Sequence, residues 1–289
     1  MTMDQGRLPD RIEAITGQRP DRISALSGGC VGDVYKAEMP SGRDLVAKVG
    51  DGPGSGLKLE GRMLVYLAEH AHLAVPQVLF ADDELLLMER VDAGGGLGRD
   101  AQRHAAELVA ALHAITTDQG FGFNFDTVIG GLHQPNPWTA SWRAFFAEQR
   151  LIYMGREAER AGRLPTAVMA RVERFAGAIE RWIDEPAQPS LIHGDMWTGN
   201  VLSAHGRITG FIDPAIYFAD PEIELAFTTL FGTFGDAFFE RYNELRPMRA
   251  GFVEARRDIY NLYPLLVHVR LFGGSYVGSV ERTLAHFGF

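Results

Sequence analysis

The chain has 289 residues, 46% hydrophobic and 22% charged, the make-up of an ordinary globular protein with room for one large domain or two modest lobes. Its 28 Lys and Arg against 37 Asp and Glu leave a formal charge of -9; with no basic stretch for a phosphate backbone to follow, broad nucleic-acid binding is excluded. The lone cysteine, Cys30, rules out an intramolecular disulfide and suits a reducing, cytoplasmic setting.

Met1 to Asp10 is polar and lacks the apolar core of a signal peptide. From Ile23 to Val49 the pattern is a β-meander. Leu26 leads into Ser27-Gly28-Gly29-Cys30-Val31-Gly32, Asp33 to Met39 follows as a strand, Pro40 to Arg43 has hairpin-turn chemistry, and Asp44 to Val49 is the next strand. Gly50 to Gly56 reads as a loop. Leu57 to His70 has helical spacing, with Leu59, Met63, Leu64 and Leu67 on one side. Pro76 to Phe80 and Glu84 to Glu89 read as two further strands, and Asp92-Ala93-Gly94-Gly95-Gly96 as a linker.

Beyond it the expectation is almost wholly helical: Asp100 to Ile115, Thr139 to Arg160, Thr166 to Ile183, and Glu222 onward. Ile223 to Phe239, the most apolar stretch, is interrupted by Glu224, Gly232, Gly235 and Asp236, which suits a buried helix and not a membrane span. The expected class is therefore α+β. A small β-rich nucleotide-binding lobe over residues 1–91 precedes a larger, mainly helical catalytic and substrate lobe over residues 92–289.

The chemistry concentrates in Leu191-Ile192-His193-Gly194-Asp195-Met196-Trp197-Thr198-Gly199-Asn200, followed by Phe211-Ile212-Asp213-Pro214. Asp195 and Asn200 are five apart, and Asn200 and Asp213 thirteen apart. A phosphoryl transferase needs that order: a carboxylate to take the acceptor's hydroxyl proton, then an amide and an acid to hold a metal. ATP phosphates repel a hydroxyl nucleophile until Mg²⁺ and fixed donors offset their charge, and Mg²⁺ takes hard oxygen ligands while keeping some waters. Asp195 is thus the candidate base, with Asn200 and Asp213 the candidate Mg²⁺ ligands.

Upstream, Ser27-x-Gly29-x-x-Gly32-x-Val34 fits a glycine-rich nucleotide loop with Ser27 where a first Gly is usual. Gly28, Gly29, Cys30, Val31 and Gly32 would cover the phosphates. Lys48, one of only three lysines, lies fourteen residues after Val34 on a strand, where its ammonium suits phosphates, and Glu60 is its available partner. Met88, Glu89 and Val91 stand before the linker, where a hinge would offer backbone groups to adenine.

These segments resemble the aminoglycoside phosphotransferase and choline kinase superfamily and, more narrowly, the fructosamine-3-kinase (ketosamine kinase) family. His193-Gly194-Asp195-Met196-Trp197-Thr198-Gly199-Asn200 is similar to that family's H-G-D-L-W-S-G-N. Phe121-Gly122-Phe123, Gln134-Pro135-Asn136, Trp142 to Arg150, Tyr260 to Tyr263 and His268 to Tyr276 extend the likeness from about Ser24 to the end of the chain. Met196, Thr198, Thr127 and Val267 depart from its usual residues.

The resemblance implies a protein-kinase-like bilobal fold and transfer of the ATP γ-phosphoryl to a sugar hydroxyl of a free or protein-bound ketosamine. In that family the phosphorylated product sheds its sugar, so the implied role is deglycation. It also implies Trp197 and His268 at the substrate, Asp220 and Glu224 as structural braces, and a redox-dependent homodimer through Cys30. Trp142, Phe145, Phe146 and Phe272 are expected in the core, and His113 as a satisfied buried histidine. The competing functions are a kinase for aminoglycosides or choline-like amino alcohols, and a catalytically dead nucleotide-binding module. Phe252 to Phe289 sets only Glu254, Asp258 and Glu281 against four arginines, a poor wall for a polycationic drug.

Overall fold

Helix α1 (Leu8–Thr16) precedes a five-stranded antiparallel sheet of order β1-β2-β3-β5-β4, built from β1 (Arg22–Ala25), β2 (Asp33–Glu38), β3 (Leu45–Val49), β4 (Val78–Ala81) and β5 (Leu85–Glu89), with α2 (Leu57–His70) inserted after β3. The computed structural model describes residues 7–26, 33–52, 54–71 and 73–289. The glycine-rich loop expected at Gly28 to Gly32, Cys30 included, lies outside the described residues.

The two faces of the sheet bury different partners, as period-two alternation requires. Leu45, Ala47 and Val49 of β3 join Leu85 and Leu87 of β5 against Leu8 and Ile12 of α1. Val46 turns the other way, toward Leu57 and Leu64 of α2 with Leu86 and Met88. Lys48 shares that second face, so the alternation that buries β3 also sends the lysine toward α2. Helix α2 lies close: a Cβ on Gly61 would sit 2.4 Å from the Ala81 Cβ. That close approach brings Glu60 to the sheet.

The rest of the chain is mainly helical: α3 (Arg99–His113), α4 (Trp142–Phe145) running through a π-helical segment (Phe146–Ile152) into α5 (Tyr153–Arg160), and α6 (Thr166–Ala176). Trp142, Phe145, Phe146 and Leu151 are fully buried in its large core. Three short strand pairs interrupt the helices. They are β6 (Thr127–Ile129) with β7 (Leu132–Gln134), β8 (Ser190–Ile192) with β11 (Tyr217–Ala219), and β9 (Val201–Ala204) with β10 (Arg207–Phe211).

The apolar stretch from Ile223 is two helices and not one: α7 (Glu222–Leu230) and α8 (Asp236–Leu245). Gly232 between them takes φ +65°, a left-handed conformation that ends α7. Then come α9 (Arg257–Tyr260), α10 (Leu262–Phe272) and α11 (Ser275–His286). Among the described residues no helix is long and apolar enough to cross a membrane. The linker before α3 is clamped, because the Gly95 amide donates to the Ser203 carbonyl at 2.8 Å and the Ser203 hydroxyl to the Gly95 carbonyl at 2.8 Å.

Candidate active site

Asp195 follows β8 directly, and the turn around it depends on Gly194. That glycine has φ +86°, and a Cβ there would meet the Ala215 carbonyl oxygen at 2.2 Å. The close approach lets the Ala215 amide donate to the His193 carbonyl at 2.8 Å. Beneath the turn, the buried Glu224 carboxylate accepts from the Gly194 amide at 2.7 Å and the His193 amide at 3.3 Å. His113, fully buried, contacts Glu224 through Nε2 at 2.9 Å and the Tyr242 hydroxyl through Nδ1 at 2.7 Å. Both expectations, of a satisfied histidine and a bracing Glu224, match this geometry. The bonds from His113 and the loop amides hold the Glu224 carboxyl below its usual range, although burial opposes them.

The thirteen-residue interval between Asn200 and Asp213 is a hairpin. Strands β9 and β10 pair on either side of His205 and Gly206, both at positive φ as a tight two-residue turn demands, and the Ile212 amide closes the ladder on the Asn200 carbonyl at 3.0 Å. The two residues therefore emerge side by side. Asn200 Nδ2 donates to the Asp195 carbonyl at 2.9 Å and to its Oδ2 at 3.0 Å. With the amide nitrogen committed to those acceptors, the Asn200 amide oxygen is the end left to bind a cation. Asp213 has φ +55°, a sparsely populated conformation for a residue with a Cβ.

Lys48 completes the cluster from the sheet. It is 6% exposed, donates to Glu60 Oε1 at 2.6 Å, and forms an ion pair with Asp213. Burial pushes the ammonium's pKa down, but the Glu60 and Asp213 carboxylates more than offset this and the net shift is upward. Burial raises the Glu60 carboxyl to about 7 against the opposing pull of Lys48. Burial likewise raises the Asp195 carboxyl to about 8, with the nearby Asp213 carboxylate adding to it and the Asn200 bond opposing.

Lys48, Glu60, Asp195, Trp197, Asn200, Asp213 and His268 all line one cavity of about 310 Å³. Met88, Glu89 and Val91 do not line it. Met88 is buried, Glu89 pairs with Arg43 at 2.5 Å while its amide donates to Gln77 at 2.9 Å, and Val91 packs against Gly210. Trp197 is half-buried with its indole over Gly199, where a Cβ would lie 2.4 Å from the ring, so it is a wall of the cavity and not a core residue.

Two features went unseen in the sequence. The β6–β7 hairpin brings Val128, Ile129, Gly130 and Gly131 to the cavity; its strands of three residues are too short to show an alternation. Phe272, expected in the core, is 58% exposed and lines the cavity with Phe231. It closes the last turn of α10, with the Tyr276 ring of α11 6.2 Å away and most of its own surface open.

No cluster of three or more His, Cys, Asp or Glu suited to a metal occurs among the described residues. Asn200 and Asp213 offer two hard oxygen donors, which fits a cation that takes the rest of its shell from phosphates and water.

With this geometry in place, the likeness to known proteins is decisive. The fructosamine kinase family model matches residues 9–287. The chain belongs to the fructosamine kinase family. It is 33% identical over 286 residues to a probable ketoamine kinase of Synechocystis, covering 96% of this chain and 94% of that one. A candidate fructosamine-3-kinase of Thermobifida fusca, solved by crystallography, superposes with a TM-score of 0.86 at 31% identity, covering 98% of this chain and all of the other. An aminoglycoside phosphotransferase, APH(4)-Ia, shares the fold at TM-score 0.69 and 19% identity, over 97% of this chain and 99% of its own. The α+β, protein-kinase-like architecture is thus common to fructosamine kinases and aminoglycoside kinases.

Proposed function

We propose that the chain transfers the γ-phosphoryl group of ATP to a sugar hydroxyl of a ketosamine of the fructosamine or ribulosamine type, in deglycation. The observation that carries this is the meeting, in one cavity, of the Lys48–Glu60–Asp213 cluster with the Asp195–Asn200 pair and Trp197, in a chain of the fructosamine kinase family. Residues 1–91 act as the nucleotide lobe and 92–289 as the catalytic and substrate lobe.

Asp195 accepts the proton of the attacking hydroxyl as its oxygen bonds to the γ-phosphorus, and the bond to the β–γ bridging oxygen breaks, releasing ADP. Asn200 orients the Asp195 carboxylate. Lys48, held by Glu60, faces the α- and β-phosphates. Asn200 Oδ1 and Asp213 would hold Mg²⁺, which would supply charge neutralisation at the phosphates. Met88, Glu89 and Val91, outside this cavity, would stand at the adenine end. Trp197 and His268 meet the substrate, Trp197 at its sugar. The reading includes a cytoplasmic setting and a redox-dependent homodimer through Cys30, the only thiol; a dimer band on a non-reducing gel, absent from Cys30→Ala, tests the latter.

The aminoglycoside or choline-like alternative is disfavoured because, among the described residues, the charged residues at the cavity are Lys48, Glu60, Asp195 and Asp213, all committed to the transfer machinery. ADP release measured across a ketosamine, kanamycin and choline, with and without Mg²⁺, separates the readings. Mg²⁺-dependent turnover with the ketosamine alone is expected; preference for kanamycin or choline overturns the proposal, and no turnover with any acceptor favours a binding module.

A further inference from the structure

The cavity is also walled by rings from three helical segments: Phe231 just past α7, His268 and Phe272 one turn apart on α10, and Tyr276 on α11. The rings form a contiguous group. His268 lies 4.9 Å from Phe231 and 4.9 Å from Tyr276, and Phe272 lies 5.7 Å from His268 and 6.2 Å from Tyr276, all centroid to centroid. Phe231 is 38% and Phe272 58% exposed, so the wall offers apolar surface that a ligand in the cavity would cover. His268 donates from Nδ1 to the Pro264 carbonyl at 2.7 Å, and burial lowers its pKa, so it adds a neutral ring to this wall.

Resting on the ketosamine reading above, we infer that this wall receives the amine-bearing half of the substrate, and that it selects ketosamines of monoamines with an aromatic or otherwise apolar substituent. The sugar must reach Asp195 with a hydroxyl, which leaves the amine substituent to meet the rings that line the same cavity. Aromatic faces attract one ammonium and stack on planar or apolar groups. Among the described residues, no carboxylate outside the transfer cluster lines the cavity. A second or third ammonium therefore finds no partner there, and a small polar substituent leaves the rings uncovered.

The test compares kcat/KM for the 1-deoxyfructosyl derivatives of benzylamine, ethanolamine and spermidine, with the wild type and Phe272→Ala. The benzylamine derivative is expected to exceed the other two by about tenfold, mostly through KM, the scale of one well-covered ring. Phe272→Ala is expected to erase most of that advantage while lowering the ethanolamine derivative far less. An unchanged melting temperature shows that this exposed position is not needed for folding. Equal kcat/KM for all three derivatives, or an equal fall for benzylamine and ethanolamine in Phe272→Ala, overturns the subsite alone. Absence of turnover with every ketosamine overturns the underlying activity and the subsite with it.

Discussion

A carboxyl whose pKa lies near neutral can both take and release a proton there. Asp195 sits with Asp213 nearby, and burial raises it from an ordinary 3.8 to about 8. The native state thus binds this proton more tightly than the unfolded chain does, so its contribution to stability declines as pH rises from 3.8 to about 8. Asp195→Asn removes that decline. In the metal- and nucleotide-free protein, the variant's melting temperature is expected to gain on the wild type progressively between pH 5 and pH 8; a pH-independent difference contradicts the assignment. Its phosphoryl transfer should fall by roughly 10²–10⁴-fold, the usual cost of losing a general base, with ATP binding kept. A cation held at Asp213 opposes the rise, so saturating Mg²⁺ should move the acid limb of kcat/KM to lower pH. Asp213→Ala is expected to abolish turnover and the Mg²⁺ response together, and retention of either, seen by titrating Mg²⁺, removes Asp213 from the metal site. Trp197→Ala should lower kcat/KM for the ketosamine while leaving slow ATP hydrolysis by water unaltered; an equal loss in both would make the indole a purely structural wall.

Elements matter here through how closely they approach. Gly61 lets α2 rest on β4, and that contact sets Glu60 against Lys48 at 2.6 Å. Gly61→Ala overpacks the seam and should cost about 1–3 kcal/mol in denaturant unfolding, with a rise in KM for ATP as Lys48 loses its brace; wild-type values for both would show that the seam is slack. Under the catalytic turn, Glu224→Ala leaves the Gly194 and His193 amides without their acceptor and should cost about 1–3 kcal/mol, lowering kcat more than KM. The turn and the hairpin behind Asn200 and Asp213 were legible because their constraints are local: a glycine at a forced φ, and a fixed count of residues between two ligands. Lys48 and Glu60 were legible because one strand and one helix set their facing. The β6–β7 hairpin was not, since two strands of three residues carry no period, and neither was the aromatic wall, which draws Phe231, His268, Phe272 and Tyr276 from three segments. Phe272 misled because aromatic character signals burial only where something packs over the ring. The helix read from Ile223 onward failed for another reason: hydrophobicity ran on through Gly232, where the backbone turns.

At the scale of the whole molecule, the sheet and the helical part are joined at several points besides the linker. The Phe211 amide donates to the Ala74 carbonyl at 2.7 Å, and Val128 of the β6–β7 hairpin lies against Gly56, with a Cβ there 3.4 Å away. The cavity forms where these parts face one another, and the ion pair of Lys48 with Asp213 spans it. The central claim is that this cavity transfers phosphate from ATP to a ketosamine. ³¹P NMR of the wild-type protein with ATP, Mg²⁺ and a 1-deoxyfructosyl amine tests it most directly. A sugar phosphomonoester resonance growing in step with ADP and absent with Asp195→Asn is expected; inorganic phosphate as the only new signal, or an ester formed equally by that variant, would overturn the assignment.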